Sequence, residues 1–223
     1  ARLPKWKSLN PNGLLWCTAM IRLVESFFVK SAVEPADYPA SAYPEFAFAG
    51  KSNVGKSTLI NLLTNHHQLA KTSSHPGKTR LLNFFLTRYK DEEQNQGFIQ
   101  LTDLPGYGFA EVSQSEQEKW RKMINKYLEQ RTQLRAMILL VDIRHSADKK
   151  DIQMLEMLRL RKIRHCVVAT KSDKIPKTRI HKTVQILAKE LGLGDVPVFP
   201  VSSLNNTGFE ALLGWVHKLS LEP

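Results

Sequence analysis

The stretch that most constrains what this chain can fold into is "AGKSNVGKSTLIN" at residues 49–61. Before it comes the run Glu45-Phe46-Ala47-Phe48-Ala49, which reads as a buried strand. After it Leu59, Ile60, Leu62 and Leu63 fall at helical spacing. A strand, a glycine-bearing loop and a helix start make an anion site. The glycines let the backbone curl so that successive N–H groups point inward, and the helix N-terminus adds its partial positive end. Gly50, Lys51, Ser52, Asn53, Val54, Gly55, Lys56 and Ser57 satisfy G-x-x-x-x-G-K-[ST]. In that pattern Lys56 reaches the outer phosphates and the Ser57 hydroxyl ligates Mg2+.

From Glu45 onward strands and helices alternate. Residues 81–89 and 97–103 read as neighbouring strands joined by "KDEEQNQ". Further strands are expected at 136–141, 166–170 and 198–201, with helices at 116–130, 149–160, 177–191 and 207–219. Ser115 with Glu118, and Thr207 with Glu210, are expected to cap two of these helices. Strands separated by helices pair in parallel through right-handed crossovers. The expectation is an α/β fold: a mostly parallel six-stranded sheet with one antiparallel edge strand and helices on both faces. Residues 1–26 are expected to be a loosely structured leader and 27–223 the domain proper, with Met20 a candidate native start.

Three further segments say which nucleotide fits. Asp103, Leu104, Pro105 and Gly106 ("DLPG") end a strand. There Asp103 binds Mg2+ through water and the Gly106 N–H senses a γ-phosphate. Thr170, Lys171, Ser172 and Asp173 ("TKSD") follow another strand. A carboxylate at Asp173 accepts from both N1–H and the 2-amino group of guanine, a donor pair adenine lacks, while the Lys171 stem packs along the base. Val201, Ser202 and Ser203 follow the last strand, where a backbone N–H bonds guanine O6. Gly77, Lys78, Thr79, Arg80 and Leu81 form the candidate switch, with Thr79 completing the Mg2+ shell beside Ser57 and Asp103. The candidate catalytic set is Lys56, Thr79, Gly106 and Asn53.

The formal charge is +11. An excess this large favours a polyanionic partner. Between 159 and 182 stand Arg159, Arg161, Lys162, Arg164, Lys171, Lys174, Lys177, Arg179 and Lys182, with Asp173 the one acid. Setting aside the nucleotide-site residues, this cluster reads as an RNA-facing patch or as a solvated helix surface. Two distant cysteines, Cys17 and Cys166, fit a reducing cytoplasm rather than a disulfide framework. No apolar run approaches the roughly 20 residues of a bilayer span, so no membrane partner is expected.

Taken together, "AFAGKSNVGKSTLIN", "KTSSHPGKTRLLNFF", "LTDLPGYGFA", "EKWRKMINKYLEQR" and "LLVDIRH" resemble the EngB-type GTPases of the Ras-like P-loop class. The likeness runs from "FFVKSA" to the C-terminus. It implies Mg2+-dependent binding of GTP and GDP, GTP hydrolysis, action on the large ribosomal subunit or its precursor, and a link to cell division and septation. A monomer is expected, and the residues themselves leave dimerisation open. Two residues depart from common Ras-like patterns. Thr170 replaces an asparagine, and as a shorter side chain it is expected to weaken the bridge to guanine N7 and the P-loop and so to give modest nucleotide affinity without changing guanine selection. Tyr107 stands where a water-orienting glutamine is usual, so intrinsic hydrolysis is expected to be slow. Asn53 occupies the position at which related GTPases lacking that glutamine hold K+; the other reading for it is a loop hydrogen bond.

Overall fold

The computed structural model of the chain describes residues 21–66, 69–70, 81–107 and 113–222. Met20, Gly77, Lys78, Thr79 and Arg80 lie outside them, and so do the expectations placed on those residues. One sheet of seven strands carries the fold, in the order β1-β3-β4-β2-β5-β6-β7. The strands are β1 (Ile21–Ala32), β2 (Glu45–Gly50), β3 (Leu82–Asp91), β4 (Gln96–Asp103), β5 (Leu134–Asp142), β6 (His165–Thr170) and β7 (Val198–Pro200). The helices are α1 (Lys56–Leu63), α2 (Gln114–Gln130), α3 (Lys149–Leu160), α4 (Lys177–Glu190) and α5 (Phe209–Ser220).

The expected fold class holds. β2 pairs in parallel with β4 and β5, β5 with β6, and β6 with β7. β3 pairs antiparallel with β1 and β4, making the antiparallel side of the sheet. Leu82, Phe84, Met137, Leu139 and Val167 pack against α2, α3 and α4 on one face. Phe46, Phe48, Ile138, Leu140 and Val168 pack against α1 and α5 on the other. Each large apolar side chain so buried contributes roughly 1.5–3 kcal/mol.

Four expectations need correcting. Among the described residues the strands number seven rather than six, and residues 21–26 are not a loose leader but the start of β1. Ile21 and Leu23 are buried in the α1/α5-side core while Arg22 and Glu25 are exposed. Arg22 and Glu25 lie on either side of a register shift between Leu23 and Glu25, so both reach solvent from a half-buried strand. The α2 cap lies two residues earlier than Ser115: Ser113 Oγ accepts from the Glu116 N–H at 3.3 Å. Thr207 does not cap α5. It exchanges two backbone hydrogen bonds with Ser202, each 3.1 Å, and the helix starts behind Gly208 at φ 86°.

Away from the site, β2 begins on Glu45, a carboxylate with no exposed surface. It accepts from Arg131 Nε at 2.6 Å, Gln100 at 2.9 Å and Thr102 at 2.8 Å, and from the Tyr127 hydroxyl. A buried charge partnered this fully fixes β2, β4 and the end of α2 against one another.

Candidate nucleotide-binding site

The sequence reverses spatial direction after β2: the chain runs through β3 and β4 on one side of it and then crosses to β5 on the other. Crevices for ligands form at the carboxyl ends of strands at such a switch point. Every predicted motif that falls within the described residues lies there. Gly50 ends β2, Asp103 ends β4, Thr170 ends β6, and Val201 follows β7.

The loop from Gly50 to α1 is built by local backbone rules. Asn53 adopts φ 62° and Gly55 φ 102°, and Gly55 stands at the N-cap of α1 with no side-chain cap on the first-turn N–H groups. Those donors are left for an anion. The Lys56 ammonium is buried and pairs with the buried Asp103 carboxylate. Lys51 is paired with Asp148 at 2.8 Å. Ser52 Oγ is buried without a hydrogen-bond partner.

The "DLPG" segment lies directly on this loop. The Leu104 N–H donates to the Phe48 carbonyl at 3.0 Å, and Ser52 N–H donates to the Tyr107 carbonyl at 3.0 Å. Gly106 packs so closely that an added Cβ would sit 2.9 Å from Ser52 Oγ. Tyr107, 7% exposed, turns into the core and donates to Asp151 at 2.7 Å. Burial and the Asp151 charge push its phenol well above its usual pKa, so it is a protonated donor there. It therefore does not face the cleft where a water-orienting side chain would stand.

On the base side the structure overturns the P-loop half of the expectation for Thr170. Thr170 Oγ donates to the Val54 carbonyl at 2.9 Å, so the shorter side chain does tie β6 to the P-loop. It reaches because Thr170 is itself buried directly behind that loop. Lys171, at φ 61°, lays its ammonium 3.1 Å from the Asn53 carbonyl and 2.9 Å from Asp142. Burial raises the Asp142 carboxyl, but Arg144 and Lys171 outweigh it and hold it well below the usual carboxylate range. Ser172 N–H donates to the Val201 carbonyl at 3.0 Å. Ser202 Oγ donates to Asp173 at 2.8 Å and accepts from the Asn205 N–H at 3.1 Å. The Ser202 bond holds the Asp173 carboxyl below its usual range, so it is an acceptor at neutral pH.

Asp142, Asp148 and Asp151 support these motifs without belonging to them. Asp142 was legible in principle as the acid closing the apolar strand "LLVD"; Asp148 and Asp151 carry no sequence signal of their own. The basic cluster is divided by its contacts. Arg159 donates to the Leu191 and Gly192 carbonyls, Arg161 to Asn125 and Glu129, and Arg164 pairs with Glu222. Lys162, Lys177, Arg179 and Lys182 are exposed.

Ser57 at the first turn of α1 and Asp103 beside Lys56 offer hard oxygen donors. Among the described residues no cluster of three or more His, Cys, Asp or Glu could hold a metal. A hard cation taking few protein ligands and completing its shell with phosphate and water matches Mg2+, so the residues present fit that ion.

Fold and cleft together define a P-loop nucleotide-binding protein of the GTPase class. A family model described as 50S ribosome-binding GTPase matches residues 45–171. The chain is 45% identical over 189 residues to a probable GTP-binding protein EngB of Levilactobacillus brevis, covering 84% of this chain and 92% of the relative. A crystal structure of a probable GTP-binding protein engB superposes with TM-score 0.60 at 24% identity, over 80% of this chain and 100% of that one. Era in complex with MgGDPNP and a stretch of 16S ribosomal RNA superposes with TM-score 0.64 at 22% identity, over 81% of this chain and 57% of Era. These two structural likenesses show the fold. The chain belongs to the EngB-type family of ribosome-binding GTPases.

Proposed function

We propose that the chain binds GDP and GTP in this cleft, hydrolyses GTP with Mg2+, and uses the change of state as a switch in assembly of the large ribosomal subunit, with cell division depending on that assembly. One observation carries the nucleotide reading. Thr170 and Lys171 bond directly to the loop at Val54 and Asn53. The carboxylate two residues on, Asp173, thereby shares a cleft with the phosphate-binding loop.

In this reading Gly50, Lys51, Ser52, Asn53, Val54 and Gly55 wrap the phosphates, and Lys56 neutralises the outer ones. Ser57 and Asp103 hold Mg2+, together with Thr79 from the switch. When bound, that ion neutralises charge developing between the β- and γ-phosphates. Gly106 N–H meets the γ-phosphate, Asp173 accepts from the guanine edge, and the Val201, Ser202 and Ser203 segment faces O6. Tyr107 supplies no water-orienting group, so intrinsic turnover is slow. Help comes from the ribosomal particle, and from K+ held at Asn53. The family's ribosome-binding description and the net charge support an RNA-containing partner. The residues assigned to it are Lys162, Lys177, Arg179 and Lys182. The protein acts in the cytoplasm as a monomer.

The buried Tyr107 hydroxyl also favours a second reading, a GTP-binding ribosome module with negligible hydrolysis. Phosphate release measured with and without large-subunit precursors, in K+ and in Na+, separates the two. Stimulation of about tenfold or more by particles supports the switch. Release that stays at background with particles leaves the binding module, and equal rates in K+ and Na+ remove the potassium site.

A further inference from the structure

Two acids at the start of α3 hold a residue of the P-loop and the residue after "DLPG" without belonging to any nucleotide motif. Asp148 caps α3, accepting from the Lys150 N–H at 2.8 Å, and holds Lys51 at 2.8 Å. Asp151, 2% exposed, accepts from the Tyr107 hydroxyl at 2.7 Å. Tyr107 is also held by its backbone and its ring. Its carbonyl takes the Ser52 N–H at 3.0 Å, and its own N–H lies 3.3 Å from the Gly50 carbonyl, closing a parallel bridge with Lys51. Its ring meets Trp120 edge-on at 5.6 Å, and Trp120 Nε1 donates to the Pro105 carbonyl at 3.0 Å. The residues flanking Gly106 are thus both anchored. Gly106 is pressed onto Ser52, where a Cβ would lie 3.3 Å from the Ser52 backbone N and Cα.

We propose that Tyr107, held by Asp151, sets the preference of this site between GDP and GTP. The inference rests on the guanine-nucleotide reading above and adds to it a determinant of state. A diphosphate does not require the seam between 106–107 and the P-loop to change. A γ-phosphate has to be met by the Gly106 N–H, so the seam that holds Gly106 on Ser52 and occupies the Ser52 N–H has to loosen. The Tyr107–Asp151 bond resists that movement and so favours the diphosphate state. Both are positioning residues: they act through Gly106, not on the nucleotide.

Calorimetric titration with GDP and with a non-hydrolysable GTP analogue gives the ratio of the two affinities. Tyr107→Phe keeps the ring against Trp120 and removes only the hydroxyl. It raises the GTP-analogue to GDP affinity ratio about tenfold, the scale of one hydrogen bond to an acidic group. Asp151→Ala moves the ratio the same way, and Asp151→Asn, which keeps an acceptor, returns it towards the unaltered value. Melting temperature without nucleotide reports any loss of packing separately, and such a loss weakens both ligands rather than their ratio. A ratio unchanged within about twofold, or lowered, in the Phe and Ala variants while GDP still binds overturns the inference alone. Failure of the unaltered protein to bind either nucleotide removes the site reading together with it.

Discussion

Asp173 is the proposed base reader, and its side chain is held in place before any base arrives. Its carboxylate is oriented by Ser202, and Ser202 is in turn held by the Asn205 N–H and by the backbone exchange with Thr207. Replacing it, Asp173→Asn, turns half of the acceptor pair into a donor aimed at guanine donors. Two hydrogen bonds to a charged group, each about 1.5 kcal/mol, correspond to a loss of about a hundredfold in GDP affinity, measured by calorimetry. The pH dependence follows from the depressed pKa. A carboxyl held below its unfolded value contributes stability that is present above that value and lost as pH falls through the lower, folded one. Asp173 is therefore ionised throughout pH 5 to 8, and the preference for GDP over ADP stays flat across that window. A preference that fades towards pH 5 would contradict the assignment. The motif residues themselves were legible because each chemical requirement sits at fixed spacing. The tie from Thr170 to the P-loop was misjudged because side-chain length alone does not reveal how close β6 brings it to Val54.

At the scale of elements, the start of α5 is fixed by Gly208 rather than by a polar cap. Its φ is 86°, and an added Cβ would lie 2.1 Å from the Pro200 carbonyl oxygen. Gly208→Ala therefore shifts backbone as well as straining φ, and is expected to cost about 2–4 kcal/mol in a denaturant unfolding series. Because the Ser202–Thr207 bridge abuts this turn, the variant also weakens guanine binding more than ADP binding. Helices and strands were legible through their apolar periodicity, α3, the parallel β5 and the antiparallel β3–β4 pair among them. β1 was not, because Phe27, Phe28 and Val29 are exposed on a bulged strand, with register shifts between Leu23 and Glu25 and between Phe28 and Lys30. The irregularity breaks the two-residue alternation on which strand reading depends.

The whole molecule places the 50–57 loop and the Asp173 carboxylate, proposed to take the phosphates and the base, at the same end of one sheet, and brings Asp142, Asp148 and Asp151 in to brace them. Sequence order could announce the motifs but not the bracing, since Lys51 and Asp148, or Tyr107 and Asp151, are joined only by the fold. The charge divides in the same way: arginines of the 159–164 run are spent on helix ends and neighbouring acids, while lysines and Arg179 along α4 stay exposed. The central claim is that this single cleft takes a guanosine phosphate. Calorimetry of the full chain with Mg2+, titrated with GDP and separately with ADP, tests it most directly. One GDP bound per chain with at least a hundredfold weaker binding of ADP is the predicted result; equal affinity for the two nucleotides, or no heat with either, contradicts it.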